Sequence, residues 1–134
     1  MDASIATYSE QHQLAMKSIE LFGDGSGGSC LLEVVSSPFS ASVSFFFDFP
    51  SIGEFVSALE GLSAKLIGEA KLGQQFEDPY FSLRGNGRGQ IIVSGVLTVA
   101  AEHSQRLEFE FVTDQTSLPP FIADLKAVCH AHAT

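Results

Sequence analysis

The segment spanning residues 107–121 constrains the fold more than any other, because it joins an alternating strand to a helix. Phe109 and Phe111 alternate with Glu108 and Glu110, and a period of two is typical of a β-strand with one buried side. A polar connector and two consecutive prolines follow, and proline is well tolerated in the first turn of a helix. The chain therefore combines sheet and helix.

Similar alternation, interrupted by glycine-rich turns, predicts strands along most of the chain. The predicted strands are Leu14–Phe22, Cys30–Ser36, Phe39–Phe49, Glu69–Leu72, Tyr80–Arg84, Gln90–Ala100 and Arg106–Thr113. The turns between paired strands are assigned to Gly23–Ser29, Gly85–Gly89 and Ala101–Gln105. Gly95 within a strand indicates a bulge or a close approach of another backbone.

Two segments carry apolar residues at helical spacing. In the first, Ser51 is the expected N-cap, Glu54 completes a capping box, and Gly68 is the expected stop. The second begins near residue 117, and three residues could cap it: Asp114, Thr116 or Ser117.

The resulting order, β-β-β-α-β-β-β-β-α, predicts an α+β fold. Short links favour an antiparallel meander, so we expect a single antiparallel sheet with two helices packed on one face. A length of 134 residues favours one domain. We place that domain at residues 14–130, between a loose N-terminal lead-in (1–13) and a C-terminal tail (131–134).

The charge of the chain restricts its partners. The net charge is −9, and the seven Lys and Arg residues are scattered singly. Nucleic-acid binding requires a basic surface to neutralise phosphates, so neither a nucleic acid nor an anionic membrane is an expected partner. A basic protein would be attracted, although an acidic surface that is simply solvated is by itself the stronger explanation of the charge.

The chain start lacks the basic and apolar regions of a secretory signal, and its apolar runs are too short to span a bilayer. We therefore expect a cytoplasmic location. Cys30, which opens a strand, and Cys129, on an apolar helical stripe, are expected to be small core residues.

No catalytic, cofactor or metal site is expected, and the protein is not expected to be an enzyme. The tail from Cys129 to His132 contains thiol and imidazole ligands, but zinc sites usually use two separated ligand pairs. A reactive cysteine paired with His12 or His103 would need an electropositive, partly open setting. No Gly-x-Ser-x-Gly elbow is present, and the glycine-rich turns lack the Gly-Lys-Ser/Thr of a phosphate loop.

Acidic residues opposite the core-facing positions of several strands could instead form a partner-binding face. Together with one outward-facing phenylalanine, which would be an apolar anchor, the candidate residues are Glu20, Glu33, Phe46, Asp48, Glu108 and Glu110. A solvated sheet face is the simpler interpretation. However, like charges on neighbouring strands repel, so a cluster that is kept could serve a cationic partner.

Three motifs together resemble a known family. They are Pro-Ser-Ile-x-Glu-Phe at residues 50–55, Gly-Asn-Gly-Arg-Gly-Gln-Ile-Ile-Val-Ser-Gly at 85–95, and Leu-x-Phe-x-Phe-x-Thr-Asp-Gln-Thr-x-Leu-Pro-Pro-Phe at 107–121. Over about residues 30–129 the chain resembles the WapI-type immunity proteins. These are small bacterial antidotes that neutralise the toxic C-terminal domain of a wall-associated contact toxin, one of the polymorphic toxins.

The resemblance implies a cytoplasmic protein that works without catalysis by occluding a site on a cognate toxin domain. Many such toxic domains are nucleases with basic surfaces, which an acidic face would complement. Two alternatives remain open: a homo-oligomeric interaction module, such as a homodimer, and a small-ligand-binding domain. A size that depends on concentration would favour the first alternative, and a cavity ringed by titratable groups would favour the second.

Overall fold

Two four-stranded antiparallel sheets and two α-helices make up the described part of the chain. The computed structural model describes residues 1–5, 7, 10–73, 79–99 and 104–133. The first sheet has the order β1-β2-β3-β4 and the second β5-β6-β7-β8. The elements are β1 Ala3–Ile5, β2 His12–Leu21, β3 Gly27–Ser36, β4 Phe39–Asp48, α1 Phe49–Lys65, β5 Ile67–Leu72, β6 Tyr80–Asn86, β7 Gln90–Val99, β8 Gln105–Asp114, the 3₁₀ turn Gln115–Ser117 and α2 Leu118–Ala133.

The expected α+β class, antiparallel pairing and two helices are confirmed, but the prediction of one sheet is wrong. The second meander, β5–β8, follows the seventeen-residue helix α1 and forms a sheet of its own, because α1 does not lead the chain back to the edge of β4. Nor do both helices cover one sheet face: α1 packs mainly against β5, and α2 packs against α1 and β1. The two sheets meet where β4 approaches β7 and β3 approaches β8.

Within the described residues, the same succession of four antiparallel strands and then a helix occurs twice. Both helices are preceded by an aspartate, Asp48 or Asp114, at the end of the last strand. The buried helix positions match at identical spacing: Ile52, Phe55, Val56, Leu59 and Leu62 in α1 correspond to Leu118, Phe121, Ile122, Leu125 and Val128 in α2. The chain is therefore built from two similar halves.

The expectation that residues 1–13 are irregular is wrong at Ala3–Ile5, which form β1. This short strand pairs with Leu14–Met16 of β2, and the side chains of Ala3 and Ile5 are fully buried. Three residues are too few to show an alternation, so the sequence pattern could not reveal the strand. Of the predicted turn at Ala101–Gln105, residues 101–103 lie outside the described residues.

One hydrophobic core runs through both sheets and both helices. At its centre, the ring of Phe81 in β6 lies 5.8 Å from that of Phe45 in β4 and 5.4 Å from that of Phe55 in α1. Phe55 in turn meets Phe121 of α2 edge-on at 6.2 Å. Edge-to-face and tilted pairs at such distances are the favourable aromatic arrangements. These four rings link the two halves.

Helix α1 begins and ends at different residues from those expected. Asp48, not Ser51, is the N-cap, and its Oδ1 accepts a hydrogen bond from the Ser51 amide at 2.7 Å. Leu66, not Gly68, ends the helix in the left-handed conformation with φ 59°. In the second half, Asp114, one of the three expected caps, is the N-cap of the 3₁₀ turn that precedes α2, and it accepts a hydrogen bond from the Thr116 amide at 2.9 Å. An aspartate is as good an N-cap as serine, and each strand supplies one at its last residue.

The interpretation of Gly95 as a point of close approach is confirmed. A Cβ at this position would lie 2.4 Å from the carbonyl oxygen of Tyr80 on the neighbouring strand. The pairing of β7 with β6 and with β8 continues through Gly95 without a register shift, so there is no bulge.

Candidate functional site

The six predicted partner-binding residues all lie on outward-facing strand positions, but they do not share one face. Glu20, Glu33, Phe46 and Asp48 belong to β2, β3 and β4 of the first sheet. Glu108 and Glu110 belong to β8 of the second sheet. The prediction of one continuous acidic face assumed a single sheet and is wrong for that reason. The candidate residues lie on the outer faces of two different sheets.

Three of the five candidate carboxylates have basic partners. Lys17 Nζ lies 3.2 Å from Glu33, and Arg106 Nη2 lies 2.9 Å from Glu108. Arg84 Nη2 is 4.0 Å from Glu110. These pairs are well exposed, so each contributes about 0–1 kcal/mol to stability. Their main effect is to reduce the negative potential around Glu33, Glu108 and Glu110.

The other three residues, Glu20, Phe46 and Asp48, come together at one end of the first sheet. Glu20 is opposite Ser29, and Ser29 is opposite Phe46. The side chains of Glu20, Ser29 and Phe46 therefore form one row across the outer face, which we call the Phe46 row. With strands about 4.8 Å apart, Glu20 and Phe46 are roughly 10 Å from each other. Asp48 follows two residues after Phe46, on the same side of β4. Phe46 is 68% exposed, the highest value among the large apolar side chains of the described residues.

Beside this row is a surface hollow of about 230 Å³ between the β2–β3 hairpin, the start of α1 and the end of β5. We call it the Phe46 hollow. The described residues that line it are Phe22, Ser26, Phe46, Phe47, Asp48, Ser51, Leu72 and Gly73. Phe22, like Phe46, is an exposed aromatic residue, with 42% of its surface accessible. Asp48 is the charged residue among these described lining residues.

Backbone hydrogen bonds fix the hairpin wall of the hollow. The Phe22 amide donates to the Gly27 carbonyl at 2.9 Å, and the Phe49 amide donates to the Ser26 carbonyl at 3.2 Å. The second bond ties the hairpin to the first residue of α1. Part of the predicted loop Gly23–Ser29 is therefore strand, since β3 already begins at Gly27.

Two glycines allow this close packing. A Cβ on Gly27 would lie 2.0 Å from the Phe47 carbonyl oxygen, and one on Gly28 would lie 2.6 Å from the Glu20 carbonyl oxygen. Real Cβ atoms do not approach so closely, so a side chain at Gly27 would push β3 away from β4, and one at Gly28 would push β3 away from β2. The hollow depends on the absence of side chains there.

The electrostatic environment of the hollow is negative. In the adjoining turn, Asp24 Oδ1 accepts hydrogen bonds from the Ser26 hydroxyl at 2.7 Å and the Ser26 amide at 3.0 Å. These bonds lower the pKa of Asp24 and keep it ionised. Lys71 is next to the lining residue Leu72, but it does not line the hollow itself. Its Nζ lies over the Tyr80 ring, 4.2 Å from the ring centroid.

Among the lining residues that were not predicted as site residues, Phe22 is the exposed aromatic one. It ends the predicted first strand, where an apolar residue is ordinarily assigned to the core. A signal was available, because Phe22 stands directly before the glycine-rich turn. Aromatic residues at the mouth of a tight hairpin have little strand left to cover them.

The corresponding place on the second sheet differs in character. In the first half, Phe46 lies two residues before Asp48 and is paired with Ser29 on the neighbouring strand. In the second half, Val112 lies two residues before Asp114 and is paired with Ile92 in the same way. Val112 is 50% exposed, but the adjacent depression of about 410 Å³ is shallow and polar, and it includes Tyr80, Ser94, Glu108 and Glu110.

The groups considered for catalysis and metal binding do not assemble within the described residues. No group of three or more His, Cys, Asp or Glu residues is placed there to hold a metal ion. Cys30 is buried, and desolvation raises the pKa of its thiol to about 12. Burial also raises the pKa of the Cys129 thiol. His103 and the side chain of His132 lie outside the described residues.

Exposed aromatic side chains beside carboxylates, on a scaffold of two sheets and two helices, are features of a protein-binding domain. The family model described as Immunity protein WapI-like family matches residues 10–132, so the chain belongs to that family. This confirms the resemblance and extends it into the N-terminal third. A search of curated proteins finds no match. Immunity proteins in general act on toxin proteins, and the family is generally not catalytic. Within the described residues, no helix has the length and apolarity required to cross a membrane.

Proposed function

We propose that this protein binds a cognate bacterial toxin domain and neutralises it by occluding a functional site, without catalysis and in the cytoplasm. The observation that carries the proposal is membership of the WapI-like immunity family over almost the whole chain. The exposed Phe46 amid carboxylates supports it, because interface centres are typically aromatic and their surroundings polar.

Glu20, Phe46 and Asp48 form the centre of the proposed interface. Binding removes the exposed apolar surface of Phe46 from water. At about 25 cal/mol per Å², the full burial of a large apolar side chain contributes roughly 1.5–3 kcal/mol. Glu33, Glu108 and Glu110 act at longer range, since their basic partners already compensate them locally. With a net charge of −9, the protein attracts a basic toxin domain and accelerates the encounter at low salt.

The test is co-expression with the cognate toxin domain, for which the gene immediately upstream is the first candidate. Wild-type protein should restore growth and should co-elute with an inactivated toxin domain in size-exclusion chromatography. Failure to protect the cells, or failure to form a complex, would overturn the proposal. Light scattering of the free protein over a range of concentrations distinguishes the homo-oligomer alternative, which requires a mass that rises with concentration.

A pair of substitutions at matching positions locates the surface. Phe46→Ala removes the exposed aromatic of the first sheet and should weaken toxin binding by about tenfold or more, the loss expected at an interface centre. Val112→Ala removes an exposed apolar side chain at the corresponding position of the second sheet and should change binding by less than about twofold. The opposite ranking would place the interface on the second sheet.

A further inference from the structure

The Phe46 hollow has the dimensions of a site for one side chain. Its volume of about 230 Å³ is below the roughly 300–1,000 Å³ of pockets that take small molecules. Its hairpin wall is held by backbone hydrogen bonds and by the close approach of Gly27 and Gly28, so the hollow exists before any partner arrives. A preformed site avoids the ordering cost of assembling one during association.

The lining residues favour a cation that also has a flat apolar face. Phe22, Phe46 and Phe47 present aromatic carbon, Asp48 presents a carboxylate, and Ser26 contributes polar atoms. An anion would be repelled by Asp48, and a purely apolar side chain would remove that carboxylate from water without compensation. A guanidinium is planar, stacks on aromatic rings and pairs with a carboxylate through two parallel hydrogen bonds.

The start of α1 at this position does not reverse the preference for a cation. A helix N-terminus carries an effective charge of about +0.5, which by itself favours anions. Here Asp48 accepts the Ser51 amide and brings a full negative charge to the same point. Glu20 in the Phe46 row and Asp24 in the hairpin turn add further negative potential.

We infer that the Phe46 hollow is the socket for one arginine side chain of the toxin domain, with Asp48 as its ionic partner and Phe22 and Phe46 as its stacking surfaces. The inference rests on the proposed function and identifies the toxin group that is recognised. A toxin arginine is the kind of residue that dominates such interfaces, since arginine and aromatic residues are enriched among the energetically important contacts.

The chain provides a matched pair of variants for testing this inference. Asp48→Asn removes the charge at the hollow and keeps an N-cap, because asparagine is as good a cap as aspartate. Asp114→Asn makes the same change at the corresponding cap of the second half, away from the hollow. Both variants should retain the wild-type melting temperature to within a few degrees, which checks that they fold.

With the toxin domain, Asp48→Asn should weaken binding by about tenfold or more, and Asp114→Asn by less than about twofold. An arginine-to-glutamine scan of the toxin should find one position whose loss is not additive with Asp48→Asn, as expected for a direct pair. If wild-type protein does not bind the toxin, the proposed function fails and the inference fails with it. If wild-type protein binds but Asp48→Asn binds as well as Asp114→Asn, the inference alone is wrong.

A second measurement does not depend on the toxin. Titration of the ¹⁵N-labelled protein with n-butylguanidinium should shift the amide resonances of Asp48, Ser51 and Gly73, and n-pentanol, which is neutral, should not. The shifts should be reduced in Asp48→Asn and unchanged in Asp114→Asn. Equal responses to the guanidinium and the alcohol, or shifts confined to other surfaces, would overturn the assignment of a cation socket.

Discussion

Replacing Phe81 by alanine tests whether the two similar halves unfold as one unit. Phe81 belongs to the second sheet, is fully buried, and contacts Phe45 of the first sheet and Phe55 of α1. Phe→Ala in a core costs about 3–5 kcal/mol, from lost transfer free energy and the remaining cavity. Because two aromatic pairs are lost as well, we expect the upper part of that range.

The expected loss is large compared with the total stability. Domains of this kind have an unfolding free energy of about 5–15 kcal/mol, so the variant keeps its fold only if the wild type lies in the middle or upper part of that range. Phe81→Leu preserves most of the volume and should cost less than about 1.5 kcal/mol. Phe46→Ala, at an exposed position, should alter stability by no more than about 0.5 kcal/mol.

Urea unfolding followed by far-UV circular dichroism and by resolved NMR signals of both sheets measures these effects. With a urea m-value of about 2 kcal/mol per M, a loss of 4 kcal/mol moves the midpoint by about 2 M, and the slope should stay constant. Signals from β1–β4 and from β5–β8 should shift together. A first sheet that keeps its wild-type midpoint in Phe81→Ala would refute the reasoning that one core joins the halves.

Two further predictions concern a buried thiol and a crowded glycine. The pKa of Cys30 is about 12 in the folded protein, above the reference value of 9.0, so its contribution to stability is complete below pH 9 and is lost as the pH rises towards 12. Relative to Cys30→Ala, the wild type should therefore lose about 2 kcal/mol of unfolding free energy between pH 8 and 10.5, measured by urea titration; parallel pH profiles would contradict this. Gly28→Ala places a Cβ 2.6 Å from the Glu20 carbonyl oxygen and should destabilise by about 1–3 kcal/mol in thermal unfolding, whereas Gly23→Ala, with nothing within 4 Å of the new atom, should stay within about 0.5 kcal/mol; equal effects would show that the hairpin is not tightly packed.

Alternation along β4 and β8 predicted the buried and exposed sides correctly, whereas in β2 it is broken by the register shift between Lys17 and Glu20. Phe45 and Phe47 are in the core and Phe46 is outside, and Phe109 and Phe111 are buried while Glu108 and Glu110 are exposed. The apolar stripes of the helices were equally informative. Both patterns are local consequences of side-chain geometry, so they can be read from neighbouring residues alone.

The number of sheets could not be read in the same way. Whether β5 joins β4 or begins a new sheet depends on where α1 leads the chain, and no local pattern records that path. A signal that could have helped was the repeat of Asp48 and Asp114, each at the same distance before an equivalent helical stripe. Two copies of a unit suggest two sheets more readily than one.

The candidate site was predicted in part, for a physical reason. Outward orientation follows from alternation, so all six residues were placed on outer surfaces. Their grouping depends on sheet membership, which separated Glu108 and Glu110 from the rest. The hollow beside Phe46 arises from close backbone contacts at Gly27 and Gly28, and a sequence shows glycines without showing what approaches them.

Along β4, residues that hold the fold alternate with residues that face outwards. Val43, Phe45 and Phe47 are buried in the core, whereas Ser42, Ser44 and Phe46 are exposed. A descendant of this protein could therefore exchange Ser42, Ser44 and Phe46 one at a time and acquire specificity for a different toxin, while the core side of the strand and the Asp48 cap of α1 keep the fold.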